Sequence, residues 1–398
     1  MTLAAAWTLD PTIDFLNHGS FGACPRDVLA RQDALRARLE RQPVQFFVRD
    51  LEDLIAGARA DLARFVGADP DDLAAVPNAT TGVSTVLRAL DLAPGDELLT
   101  TDHAYGACKN ALDAVAARAG ARIVVARVPF PLASEDDVVE PVLAAVTPRT
   151  RLALLDHVTS PTGLVFPVRR LVAALAARGV DALVDAAHAP GMVDVDLDAT
   201  GAAYTTGNCH KWLCAPKGAA FLHVRRDRQA GLRPLVVSHG ATRPLGTSSR
   251  FRLEFDWTGT SDPTAFLCVP AAIEHVGALV AGGWPALRAA NRALALEARR
   301  ALCAALDVPP PAPEAMLGAL AAVPLRDAPA GSRPSRFGTE PLQDALLERW
   351  RIEVPVFAWP ARPRRLVRVS AQRYNHPAQY ERLGRALVTL LAEERGTA

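Results

Sequence analysis

Lysine is almost missing from this chain. Lysine and arginine together number 44, yet only Lys109, Lys211 and Lys217 are lysines. Ordinary surface positions therefore take their positive charge from arginine, whose guanidinium stays protonated throughout the accessible pH range. An amine that loses its proton when buried, and can then attack a carbonyl, is something arginine cannot supply. Two of the three lysines fall in one stretch, TTGNCHKWLCAPKG, residues 205–218. They are candidates for chemistry, although scarcity alone does not choose between them.

Other absences narrow the class. Net charge is +1 with acids and bases interspersed, so the chain has no basic face for nucleic acid or an anionic membrane. The amino-terminal MTLAAAWTLDPTIDF has no basic region leading into a long apolar run, which predicts neither secretion nor a membrane span and makes a cytoplasmic enzyme the expectation. The six cysteines, at 24, 108, 209, 214, 268 and 303, show no pairing pattern and fit reduced thiols. Cys209, His210 and Cys214 lie close together, but no second pair at metal spacing completes four ligands, so no metal site is expected. The partners left are a small molecule and another copy of the chain.

The chain has 398 residues, half of them hydrophobic, enough for two or three domains at about 150 residues each. From about 75 to 225, short apolar β-branched runs alternate with helical segments. Strands are expected at 96–101, 121–128, 151–158, 180–187, 202–207 and 218–224, with helices at 106–120, 135–146 and 168–178 between them. That alternation predicts an α/β fold with a largely parallel sheet covered on both faces, whose ligand binds beyond the carboxyl ends of the strands. A helix at about 284–305 then leads into the proline-rich VPPPAPEA, and a small α+β domain follows. The expected division is 25–285 for the large domain and 286–398 for the small one, with 1–24 packing on the latter.

Three motifs carry chemistry. In PNATTGVSTVLRAL (77–90), Asn, Thr, Thr and Gly precede an amphipathic helix, an arrangement that is either an ordinary cap or an anion site built from free N–H groups and hydroxyls. It is neither a Walker loop nor a dinucleotide fingerprint. In DALVDAAHAPG, Asp185 ends a buried strand with His188 three residues on; the carboxylate is a cap, half of a salt bridge, or the partner of a protonated ring nitrogen. One strand later comes Lys211. A phosphate turn, an aspartate for a pyridinium and a lysine for an imine, in that order and each just past a strand, describe a pyridoxal phosphate site.

The words FLNHGSFG, NATTG, DHAYGA, HVTSPTG, VDAAHAPG, GNCHKWL, WTGTSD, RIEVPV and RVSAQRYN run over nearly the whole chain. On them the sequence resembles the class V aminotransferase family of fold type I, most closely its isopenicillin N epimerase-like branch. The resemblance implies a mainly parallel seven-stranded sheet in the large domain, a smaller C-terminal α+β domain, and pyridoxal 5′-phosphate (PLP) as cofactor. It also implies a homodimer with shared active sites. Lys211 would bind the cofactor and shuttle the α-proton, while Lys217 would be structural. Asp185 would hold the ring nitrogen and His188 the ring hydroxyl, with Ser160 nearby. Ala79 and Thr80 would meet the phosphate, helped by Asn208 and His210, and Thr260 would reach the phosphate of the neighbouring subunit. Tyr105 is expected to stack on the ring and act as the second acid or base, with His103 as the other candidate. Arg368 would take the substrate carboxylate, with Asn17 lining the same pocket.

The resemblance favours an epimerase acting at the α-carbon of an amino acid or a compound derived from one. Carbon–sulfur lyase chemistry on a cysteine-derived substrate and transamination need the same residues and stay open. A desulfurase with a mobile-loop cysteine is disfavoured, because the late segment SRFGTEPLQ has none and the last cysteine is Cys303. The arginines Arg243, Arg250 and Arg252, in the segment 238–258 expected to shape the pocket, meet either a distal carboxylate or solvent. A non-catalytic cofactor-binding regulator is the reading from another class, and the sequence has no helix-turn-helix extension to support it.

Overall fold

The computed structural model describes residues 3–335 and 338–396, so Arg336 and Phe337 of the SRFGTEPLQ segment lie outside the described residues. Twelve strands occur among the described residues. They are β1 (Asp14–Phe15), β2 (Leu73–Val76), β3 (Glu97–Thr101), β4 (Arg122–Ala126), β5 (Thr150–Asp156) and β6 (Asp181–Asp185). Then come β7 (Tyr204–Asn208), β8 (Ala220–Val224), β9 (Leu320–Leu325), β10 (Ile352–Glu353), β11 (Val356–Ala358) and β12 (Arg365–Ser370).

Seven of these form the large sheet, in the order β2-β8-β7-β6-β5-β3-β4. Its pairings from β4 to β7 are parallel, and β8 runs antiparallel to both β7 and β2. The central strands are largely buried on both faces, β5 and β6 through apolar cores (LALL and ALV) and β7 through the polar run YTTGN, whereas the edge strand β4 keeps exposed residues. The six expected strands all form. The seventh, β2, is a four-residue LAAV run that carries little strand signal, and its position is set by pairing with β8.

The helix Ala79–Ala89 fixes the site's geometry. Asn78 caps it by accepting from the Thr81 N–H at 2.8 Å, and its buried face lies on the sheet through Gly82. A Cβ at Gly82 would stand 2.7 Å from the Cβ of Thr206 on β7, so only glycine lets this helix approach the strand so closely.

Beyond the linker the run RIEVPVFA, apolar enough to read as one strand, splits in two. β10 pairs in parallel with β1, while β11 joins β12 and β9 in an antiparallel sheet. Pro355 sits at the break, where it has no N–H to offer a ladder. The amino-terminal segment is thus stitched to the C-terminal part of the chain by β1. The helix Gly283–Leu306 connects the two sheets, packing on β9 and on the closing helix Pro377–Gly396.

No single helix among the described residues is long and apolar enough to cross a membrane. Replacing Gly82 with alanine is expected to overpack the helix–strand contact and cost about 1–3 kcal/mol. Chemical denaturation measures this, and an unchanged midpoint would remove Gly82 from the account.

Candidate active site

The carboxyl ends of β5, β6 and β7 place Asp156, Asp185 and Asn208 side by side, with Asp156 in register with Asp185 across two parallel strands. All three line one cavity of about 380 Å³, together with the start of the helix Ala79–Ala89, Lys211, and Ser20 and Phe21 from the amino-terminal segment. This is the crevice that open α/β sheets reserve for ligands.

After β7 the chain turns sharply. The N–H groups of Cys209 and His210 both donate to the Ala219 carbonyl, at 2.9 and 3.1 Å, and Cys214 closes the turn with a left-handed backbone, φ 60°. The turn points Lys211 into the cavity. Burial, with the Arg368 charge second, lowers its amine to a pKa of about 8. Its Nζ stands 3.1 Å from Nε2 of His188. That histidine is kept neutral by burial first and by Lys211 second. The Trp212 indole donates to its Nδ1 at 3.3 Å, so the ring proton sits on Nε2 and points at the lysine. Once it has lost its proton, the Lys211 amine can accept this hydrogen bond, and that is the form that attacks a carbonyl.

The phosphate turn differs from expectation in one contact. The backbone N–H of Ala79 is already taken by the Asn208 side-chain oxygen at 2.8 Å, so Ala79 contributes shape to the cavity and not a free donor. Asn208 thereby turns its amide NH₂ toward the cavity, and the Thr80 hydroxyl and N–H have no protein partner among the described residues. His210 donates through Nδ1 to the Ala219 carbonyl at 3.1 Å, which leaves Nε2 for a ligand. Burial, with Lys211 second, holds its pKa at about 4. A bound dianion would favour the charged form and pull that value up.

Asp185 is buried. It accepts from the Ala187 N–H at 3.0 Å and from the Cys108 thiol at 3.2 Å, and burial still raises its pKa, which leaves the carboxylate short of a cation. Asp156 was missed by sequence reasoning. It ends the run RLALLD as Asp185 ends DALVD, and that parallel was the available signal. Burial, then the charge of Asp185, pushes its carboxyl well above the usual range, so the pair presents about one negative charge to the cavity.

The substrate side is organised around Arg368, which is 1% exposed and lies over the Phe357 ring at 5.0 Å. It donates to the Ser160 carbonyl and, at 3.4 Å, to the hydroxyls of Ser160 and Ser20, while its Nε has no partner. Ser160 therefore belongs to both the cavity wall and the arginine's support. Asn17 does not line the cavity. Its amide donates to Glu353 at 3.0 Å and its oxygen accepts from the Ser20 hydroxyl at 2.5 Å, so it holds Ser20 in place.

Tyr105 lines the cavity mouth and is 46% exposed. His103 does not reach it. That ring is fully buried, accepting from Thr162 at 2.8 Å and donating to the Val128 carbonyl at 3.0 Å, with Trp359 packed edge-on at 4.6 Å. With both nitrogens committed, His103 is not available for proton transfer, and the expectation that it competes with Tyr105 is corrected. Thr260 is exposed and lies outside this chain's cavity. Lys217 donates to the Gly22 carbonyl at 3.1 Å. Of the three arginines in 238–258, Arg252 pairs with Asp71 at 2.6 Å and Arg250 donates to the Gly240 carbonyl, so neither is held out for a substrate.

The pattern of the family described as aminotransferase class V matches residues 29–301. The chain belongs to the class V aminotransferase family. It is 38% identical to an isopenicillin N epimerase of Amycolatopsis lactamdurans over 98% of this chain and 99% of that one. It is 33% identical to a probable chloroplastic L-cysteine desulfhydrase of Arabidopsis thaliana, over 96% of this chain and 84% of the other. A cystine C–S lyase in complex with cysteine persulfide shares the fold, with a TM-score of 0.77 at 23% identity over 95% and 98% of the two chains. Class V enzymes of this fold carry PLP, and the cavity suits it. The unpaired donors of Thr80 and Asn208 suit a phosphate, the cation-poor Asp185 suits a pyridinium, and the Lys211 amine, which loses its proton more readily than an ordinary lysine, suits an aldehyde.

Because burial lowers Lys211, its amine becomes neutral as pH rises through about 8, where an ordinary lysine stays charged to about 10.5. The rate of cofactor attachment to apoprotein should therefore be half-maximal near pH 8. A midpoint near 10.5 in stopped-flow absorbance would contradict this assignment.

Proposed function

We propose that this PLP-dependent enzyme is an epimerase that inverts the α-carbon of an amino acid or amino-acid-derived substrate. The cofactor, when bound, supplies an electron sink for the pair left behind as the α-proton departs. The observation that carries the reading is the placement of two proton-transfer groups on one cavity, Lys211 within it and Tyr105 at its mouth. Arg368 binds the substrate carboxylate through its planar fork, with Ser160 and Ser20 fixing the guanidinium. Lys211 takes or returns the proton on one face of the α-carbon, and Tyr105 serves the other. His188 orients the lysine amine at 3.1 Å and would meet the ring hydroxyl, while Asp185 would hold the ring nitrogen protonated. Thr80, Asn208 and His210 would hold the phosphate.

A homodimer with shared sites completes this reading. Thr260 is exposed and free to serve a neighbour's phosphate, and Phe21, at the cavity mouth, is 73% exposed, as a residue covered by a second subunit would be in one chain alone.

Elimination from a cysteine-derived substrate is the second reading, and one observation favours it. Burial, then Cys108 and Asp185, raises the Tyr105 phenol, so it stays protonated, the form in which it can hand a proton to a leaving group. Persulfide chemistry on a protein thiol is not supported. All six cysteines are buried, and Cys108, beside Asp185, is held as a thiol by that burial.

Incubation of holoenzyme with amino acids in deuterated water separates the readings. Epimerisation places deuterium at the α-carbon with loss of chirality, whereas pyruvate and ammonia from cysteine mean elimination. Tyr105→Phe should slow inversion by about 10²-fold or more while proton exchange on the Lys211 face persists. Inversion at the wild-type rate in that variant would remove Tyr105 from the mechanism. Arg368→Ala should raise KM at least about tenfold, since a charged hydrogen bond is worth roughly 1.5–3 kcal/mol.

A further inference from the structure

Lys211 is gripped at both ends of its residue. Its amine meets His188, and its carbonyl accepts from the Cys214 N–H at 3.1 Å and also contacts Nε2 of His18 at 3.0 Å. A carbonyl can only accept, so His18 carries its proton on Nε2. Its Nδ1 then accepts from the Tyr374 hydroxyl, 2.8 Å away. The ring is fully buried and lies tilted against Trp212 at 4.8 Å between centroids, and the Trp212 indole is bonded to His188. The contacts close a loop from the lysine carbonyl through His18, Trp212 and His188 back to the lysine amine.

The segment carrying His18 is pressed against the lysine. A Cβ on Gly22, whose φ is 71°, would lie 2.9 Å from Cα of Lys211. Its other end reaches the substrate arginine, for Ser20 receives a hydrogen bond from Arg368 and the Gly19 N–H donates to Ser370 at 2.9 Å.

We propose that His18 is a positioning residue for Lys211, fixing the lysine's backbone through Nε2 and tying it through Nδ1 to Tyr374 of the C-terminal region. The short helix His18–Phe21 thus sets the distance between the lysine that moves the proton and the arginine that holds the carboxylate. This rests on Lys211 being the cofactor-bearing lysine. Around His18 stand Tyr374, Cys214, Gln372, Lys211 and Lys217, and burial keeps the ring neutral at any pH the enzyme meets.

Holoenzymes of His18→Gln, His18→Asn and Tyr374→Phe test it. A glutamine amide can stand where Nε2 donates, whereas an asparagine amide reaches only the Nδ1 position and leaves the lysine carbonyl a donor short. His18→Asn is expected to lower kcat about tenfold or more with KM within about threefold, the signature of misplaced reacting groups. It is also expected to raise the midpoint of the pH-dependent visible cofactor band, because a released lysine nitrogen gains access to water. His18→Gln should stay within about threefold of wild type in kcat with an unmoved midpoint, and Tyr374→Phe should fall between the two. An unmoved midpoint and kcat in His18→Asn would overturn the proposal, as would equal damage in His18→Gln, which marks mere packing. If His18→Asn does not fold, Tyr374→Phe decides, and a wild-type midpoint there overturns the proposal. A wild-type protein with no cofactor band would overturn the assignment of Lys211 and this proposal together. A normal wild-type band with unaltered variants overturns this proposal alone.

Discussion

The active site depends on one constraint, the burial of a lysine amine beside a histidine that is already fixed as a donor. Burial and the Arg368 charge make an ammonium costlier there than in water, and no carboxylate is bonded to it among the described residues, so the amine gives up its proton near pH 8. The carboxylates that are present, Asp185 and Asp156, lie at the strand ends, where a ring nitrogen and not the lysine would answer them. Charge is thereby divided within one cavity. One wall has neutral donors and a helix start, the strand ends share about one negative charge, and an amine that loses its proton near pH 8 lines the same cavity.

The amino-terminal segment gives this division its precision. It pairs with β10 through β1 and then runs between Arg368 and Lys211, touching the first through Ser20 and the second through His18. The large sheet carries the residues proposed to hold the cofactor, and these few residues link Lys211 to the C-terminal strand β12 that carries Arg368. On the proposed reading, a substrate bound by both Lys211's cofactor and Arg368 would have its α-carbon fixed at two points, which is how binding energy becomes orientation.

Much of this was legible in the sequence, for identifiable reasons. Parallel central strands such as β5 and β6 are buried on both faces and read as apolar runs, so a carboxylate at the end of one stands out, as Asp185 does; Asn208 and Lys211 lie at and just past the end of the next strand. The scarcity of lysine did the rest. What escaped are pairings between distant residues. Asp156 matters through its register with Asp185, and His18 through a carbonyl 193 residues away. β2 is too short to signal itself, and Ala79 lost its free N–H to Asn208 across 129 residues. His103 and Tyr105 are two residues apart in DHAYGA, but the turn in which the Ala104 N–H bonds the Thr101 carbonyl sends one ring under the sheet and the other to the cavity.

The most direct measurement is to load the protein with PLP, reduce it with borohydride, digest it and locate the modified lysine by mass spectrometry. With only three lysines in the chain the answer is unambiguous. The account predicts the label on Lys211 alone, in the peptide containing NCHKWL. Label on Lys217 or Lys109, or none, would contradict it.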